Sequence, residues 1–400
     1  MSNLSIDKII SVLSTDGKIK PECLPEWTGD NFVMVQSTND AIQNGINLKA
    51  AFSAAVARVN PNGFARSYDN RVVVIIPPGK YDFVDTPLVH NYEYIDLMAM
   101  NAGQSIIVIN SPNTLGHVIK FASGLPTRVS GLVFKQLNAT TLNTLTTHEY
   151  SSVINTNGSK HEFTDCIFDG TNIIQGANIY SAPGNDIFVR CKFLGRFSYN
   201  VSYKSLKFDS CTGNGANSYN TSNNNVVVIS NYNTSTYGPE VVNTPIELNN
   251  FLLGSKTNIF NCLVYLTNSS VIRSDSLLRG CRIYIEAGST IGTATNGDGS
   301  IDSCILNISY GVNLGRIRIE NCTIYGIYGN PTLNLTESTY PRFYKCSFGC
   351  YFSFSSPGVV NMTYCNLPYN WNDQTNVTYA LGSLAAGYNL IAPTFDWNVF

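Results

Sequence analysis

The chain has 400 residues, of which 44% are apolar and only 13% charged, with a net charge of −2; the charged share is about half the usual one. Its 25 basic residues are scattered and form no basic stripe, which argues against nucleic acid as a partner. No run approaches about eighteen consecutive apolar residues, so no membrane insertion is expected.

Residues 1–35 read as an N-terminal anchor or linker outside the main fold. Ile6, Ile9, Ile10 and Leu13 make a short apolar helix face, and "GKIKPECLPE" (17–26) reads as extended. "MSNLSIDKIISVLSTDGK" has neither a basic leading region nor a long apolar one, so no signal peptide is expected and the chain folds in a reducing cytoplasm.

Residues 36–120 read as a capping helix and first coils. In 39–59, Leu48, Phe52, Ala55 and Val59 fall on one helical face, with Asn39 or Asp40 as N-cap. "RVVVIIPPGKYDF" (71–83) reads as strand, Pro-Pro-Gly turn and strand. "YIDLMAMNAGQSIIVI" (94–109) reads as two short strands across a glycine turn.

Residues 121–370 carry a repeat, aligned on Cys166, Cys191, Cys211, Cys262, Cys281, Cys304, Cys322, Cys346 and Cys365. Three residues before every cysteine the residue is apolar, from Phe163 to Met362. Two residues after, it is apolar everywhere except Gly213. The Cys-x-apolar half has the period of a strand with one buried face. The apolar-x-x-Cys half has one residue too many for a continuous strand, which implies a corner.

Successive cysteines lie 25, 20, 51, 19, 23, 18, 24 and 19 residues apart, a solenoid-like period. A strand-only unit of this size with a corner is one rung of a parallel β-helix, with rungs about 4.8 Å apart. "VSGLVF" (129–134) repeats the pattern with Leu132 in the cysteine place, so the coil begins before Cys166. The 51-residue gap holds a rung without cysteine and a loop around 231–240, and 138–152 reads as an excursion.

The cysteines are therefore core residues at an inside corner. Neighbouring rungs hold Cβ atoms nearly 5 Å apart, whereas a disulfide needs about 3.8 Å, so they remain thiols. No metal ligand set is present: no C-x-x-C pair occurs, the four histidines lack ligand spacing, and "TNGDGS" (295–300) reads as a turn. No cofactor is expected. Residues 371–400 drop the pattern, gain Trp371 and Trp397, and read as a C-terminal cap or oligomerisation segment.

Two outward columns could carry chemistry. Two before the cysteine, Arg279, Asp302 and Glu320 follow one another; two carboxylates about 5 Å apart match a retaining glycosidase, with one pKa raised by repulsion. The plainer reading is a solvated ladder in which Arg279 balances Asp302, and Asp165 with Arg190 reads as an exposed ion pair. Three after the cysteine, Tyr265, Tyr284, Asn307 and Tyr325 share a face suited to stacking on sugars and binding hydroxyls, or to a subunit contact.

Asp40, Ala41, Ile42 and Gln43, then Pro77, Pro78, Gly79 and Tyr81, then Gly103, Ile106 and Ile107 resemble the N-terminal opening of the pectate-lyase-like right-handed β-helix family, of the phage tailspike and tail-fibre type. The resemblance implies an all-β, right-handed parallel β-helix with a short N-terminal capping helix. It further implies a virion tail fibre or tailspike-like subunit, homotrimeric, binding host-surface polysaccharide and joined to other tail or baseplate proteins through residues 1–35. A polysaccharide depolymerase using Asp302 and Glu320, or a purely structural virion component, is the alternative on the same fold.

Overall fold

The computed structural model describes residues 31–109, 118–121, 126–137, 154–155, 161–169, 179–180, 186–194, 197–198, 206–214, 227–230, 239–249, 257–267, 269–273, 275–292, 299–327, 332–335, 341–349, 353–354, 358–359, 361–363, 365 and 377–378. The proposed helix face at 6–13, the excursion at 138–152, most of the 231–240 loop, and Trp371 and Trp397 lie outside the described residues.

The described strands are short and pair in parallel. Fourteen of them form one sheet, from Phe32–Met34 at one edge to Asn361–Thr363 at the other. The apolar position three before the cysteine is a single column of this sheet, running through Leu97, Val129, Phe163, Phe188, Phe208, Val241, Ile259, Leu278, Ile301, Ile319, Phe343 and Met362. Further parallel sheets of six, eight, five and four strands take up the remaining faces. The fold is the all-β parallel β-helix with an N-terminal helix that the repeat predicts.

The extra residue in the repeat has a conformational cause. Immediately before each of seven cysteines stand Asp165, Arg190, Ser210, Asn261, Ser303, Asn321 and Lys345 with φ between 51° and 55°, and Gly280 precedes an eighth with φ 65°. One left-handed residue turns the chain from the long sheet into the next strand. Asn, Ser and Gly suit this position because they tolerate it at little cost. Gly131 occupies the same place before Leu132.

The buried thiols have partners of their own. Each Sγ from Cys166 to Cys346 lies 3.3–3.7 Å from the carbonyl oxygen of the column residue one rung earlier, Val129 for Cys166 and Ile319 for Cys346. The backbone N–H of Cys281 in turn donates to Cys304 Sγ at 3.3 Å. A thiol is small and apolar enough for the corner yet still a weak donor. In the rung between Cys211 and Cys262, which has no cysteine, Asn243 (φ 49°) precedes Thr244, whose hydroxyl donates to Val242 O and accepts from Cys211 N.

Gly213 marks a splice. The column two after the cysteine runs from Tyr81 through Ile107, Phe134, Phe168 and Phe193 to Gly213 and stops. Strand Val227–Ser230 takes over, pairing with Ile246–Asn249, and the column continues from Val227 through Ile246, Val264, Ile283, Leu306 and Ile324 to Phe348. Below the splice the interior is aromatic: Phe163, Phe188 and Phe208 stack at 5.1 and 5.4 Å, and Phe168 and Phe193 meet them edge-on.

The helix Ala41–Ala57 closes the N-terminal end. Asp40 caps it, accepting from Ile42 N and Gln43 N. Leu48, Phe52 and Ala55 face the core. Val59, which the periodicity placed on the same face, does not: the helix stops at Ala57 before Asn60-Pro61, and Val59 is 59% exposed. A Cβ at Gly45 would lie 2.1 Å from Asp82 O, so only glycine lets the helix rest directly on strand Gly79–Asp82. Capping by a helix covers a coil end that would otherwise offer unpaired strand groups. The sequence reading sets residues 1–35 outside the coil; Phe32–Met34 instead pair with Val73–Ile75 as the edge strand of the long sheet.

Candidate functional site

Tyr265, Tyr284, Asn307 and Tyr325 stand in register on four consecutive strands of the eight-stranded sheet. They point away from the core because Val264, Ile283, Leu306 and Ile324, one residue earlier, are buried. Tyr265 and Tyr284 stack, with centroids 5.1 Å apart and planes 13° from parallel. Burial, with the neighbouring Tyr284 contributing less, pushes the Tyr265 phenol above its ordinary pKa. Arg282 approaches the Tyr284 ring at 5.5 Å.

Asn307 breaks the row of rings. Its amide nitrogen is enclosed and has no hydrogen-bond acceptor. Tyr325, 44% exposed, lies over Gly349, where a Cβ would come within 2.4 Å of the ring. The face is thus two stacked phenols, a polar gap, and a third phenol laid over glycine. Ile305, 40% exposed, extends it. Glu247, which precedes Tyr265 in register, is buried and accepts from Thr267 Oγ1 at 2.9 Å.

Asp302 and Glu320 are also neighbours in register, between Arg279 and Tyr344. The surroundings of Asp302 do not raise its carboxyl pKa as a general acid requires. Asp302 accepts from Asn321 Nδ2 and Ser303 Oγ at 3.0 Å and from Arg279 Nε at 2.9 Å, and these bonds hold its carboxyl below the usual range. Glu320 has its own partner, Arg318, at 3.0 Å. The column is an ion-paired ladder. Asp165 and Arg190 likewise form a two-point exposed pair, both contacts 2.8 Å.

His90 and His161 have structural settings. Both are buried against Phe121, with centroids 5.4 and 4.7 Å from it, and His90 also packs on Phe52. His117 and His148 lie outside the described residues, as does most of 295–300. Among the described residues no group of three or more His, Cys, Asp or Glu side chains could hold a metal ion, and no helix is long and apolar enough to cross a membrane.

The sequence reading missed one concavity. On the outer face of the long sheet, near its N-terminal edge, a groove of about 770 Å³ is lined by Tyr68, Arg71, Asp96, Met98, Arg128 and Glu162 among others. Its floor is a buried two-point pair: Arg71 Nε and Nη2 each contact an Asp96 oxygen at 2.6 Å. Arg128 lies 4.7 Å from the Tyr68 centroid and donates from Nε to Glu162 at 3.2 Å. Arg128 and Glu162 both stand four residues before the cysteine place, and reading that column would have found them.

These features define a parallel β-helix protein with an outward aromatic row and a charged groove. No family model matches the chain, and no curated protein matches its sequence. Three solved structures similar to it are tailspike protein 3 of bacteriophage CBA120, ORF18 of Geobacillus virus E2, and DFA-IIIase of Arthrobacter chlorophenolicus A6 without its lid in complex with GF2. The first has 11% identity and a TM-score of 0.49 over 84% of this chain and 62% of its own. The second has 14% and 0.36 over 88% and 62%, and the third 10% and 0.44 over 84% and 94%. The chain thus spans less than two thirds of the two phage proteins, and the strand pairing rather than these likenesses defines its fold.

Proposed function

We propose that this chain is a virion structural protein of the tail-fibre or tailspike type that binds host-surface carbohydrate through Tyr265, Tyr284, Asn307 and Tyr325. One observation supports the reading: three outward tyrosines in a single file on hydrogen-bonded rungs, interrupted by an amide whose nitrogen lacks an acceptor. Sugars offer apolar C–H faces to aromatic rings and hydroxyl oxygens to amide donors.

In this reading the subunit is a homotrimer, joined to other tail or baseplate proteins through residues 1–35. Weak sites on three subunits combine by avidity. Cleavage by Asp302 and Glu320 is the less supported reading, because Asp302 is held as a paired carboxylate. A purely structural role would place the tyrosine face between subunits.

Two measurements on Tyr284→Ala separate these readings. Weaker retention on immobilised polysaccharide with the solution mass unchanged supports adhesion. A fall in mass by light scattering instead assigns the face to assembly, and no change in either measurement sinks both.

A further inference from the structure

We infer that the groove bounded by Tyr68 and Glu162 is a second ligand site, separate from the tyrosine row, and that it takes a neutral saccharide. Its volume of about 770 Å³ falls within the range of small-molecule sites, roughly 300–1,000 Å³. It lies on the long sheet, whereas Tyr265, Tyr284 and Tyr325 stand on the eight-stranded one.

The groove is built before any ligand arrives. Asp96 accepts from both Arg71 nitrogens and from Arg128 N at 2.8 Å, and Arg71 Nη2 also donates to Pro126 O at 3.2 Å. A buried ion pair is a poor source of net stability compared with apolar packing. The wall is fixed too. Asn70 Nδ2 donates to Pro61 O, Phe64 O and Ala65 O, and Asn31 ties Asn70 to the strand that follows through Arg71 O. Tyr68, on this pinned loop, is nevertheless 60% exposed.

Charge selects the ligand. Both guanidiniums are already matched, Arg71 by Asp96 and Arg128 by Glu162, so an anionic sugar would have to displace a carboxylate. The paired groups still offer adjacent donors and acceptors, and a hydroxyl can accept from Arg128 while donating to Glu162. Tyr68 supplies a ring for an apolar sugar face, and Met98, 39% exposed, adds apolar floor.

The test is calorimetric titration of the full chain with a panel of neutral hexasaccharides (glucan, mannan and galactan) and a hexauronate. Binding of at least one neutral member is expected, about tenfold weaker in Tyr68→Ala and weaker in Glu162→Gln. The unfolding midpoint of Tyr68→Ala should match that of the parent, since its side chain is exposed. No neutral member binding, equal binding to Tyr68→Ala, or tighter binding of the hexauronate would each overturn the assignment. Loss in Tyr284→Ala alone would return the ligand to the other face, so the two sites stand or fall separately.

Discussion

Arg279 and Asp302, one rung apart, are joined from Nε to Oδ2 at 2.9 Å. With Asn321 and Ser303 on its other oxygen, Asp302 is a carboxylate whose acceptors are in use. Asp302→Asn should therefore leave any action on polysaccharide unchanged. Its effect on stability near neutral pH should be about 1 kcal/mol, because the Arg279 partner is largely open to solvent. Since the folded pKa is depressed, the parent's advantage is present above the ordinary value of 3.8 and fades as pH falls through the folded one. A reducing-end assay and denaturant melts at pH 7 and pH 3 check both points, and cleavage lost in the variant would restore a catalytic role.

Phe188 contacts Phe163, Phe168, Phe193 and Phe208, at centroid distances of 5.1 to 5.9 Å. Phe188→Ala opens a cavity that stacked rungs cannot collapse, and should cost about 3–5 kcal/mol. Phe188→Leu should cost clearly less. The shift of the denaturant midpoint measures both.

Of eleven cysteines, nine are buried with free thiols. Burial also pushes the Cys191 thiol well up, away from the reactive thiolate. A thiol-reactive dye should therefore label at most two sites in the folded protein, Cys23 and Cys350, and all eleven after denaturation. Labelling of Cys281 or Cys304 without unfolding would contradict a packed ladder.

His90 is held neutral by burial, its pKa brought down to about 4, while its Nε2–H donates to Ile95 O at 2.9 Å. Asp96 raises that pKa and Arg66 lowers it, each by less than burial does. The unfolded imidazole takes its proton near 6.5, so stability is complete above that value and is lost as pH falls from there toward 4. The loss should reach roughly 3 kcal/mol. In His90→Phe, which keeps the packing on Phe52 and Phe121, the slope of stability against pH over this window should be shallower. Parallel slopes would count against the assignment.

Periodicity made much of this molecule legible. The columns around Cys166 to Cys365, the Asp40 cap and the Pro77-Pro78-Gly79 turn follow from local rules, because each rung repeats one pattern in register with the last. Val59 failed because the periodic face continued past the real stop, which Asn60 and Pro61 impose. Asp302 and Glu320 were correctly placed side by side, but Asn321, Ser303 and Arg279 hold Asp302 as a carboxylate, and spacing alone does not reveal such bonds. The groove was invisible for a different reason: Tyr68, Arg71, Asp96, Arg128 and Glu162 come from a loop and four successive rungs, and only stacking brings them together.

The left-handed residue before each cysteine also acts as a reading frame. Between successive cysteines with no rung between them the chain runs 18 to 25 residues, yet on each side of the splice at Gly213 the corners return the following strands to one column. Length is thereby separated from phase. Removing one entire turn, from just after Ser303 through Asn321, would shorten the coil and keep every remaining side chain on its proper side. Removing one residue fewer would put the next strand inside out. In the loops between strands, insertions cost little, about 0.6 kcal/mol for each doubling of a loop, so the coil can carry new surface without a new fold.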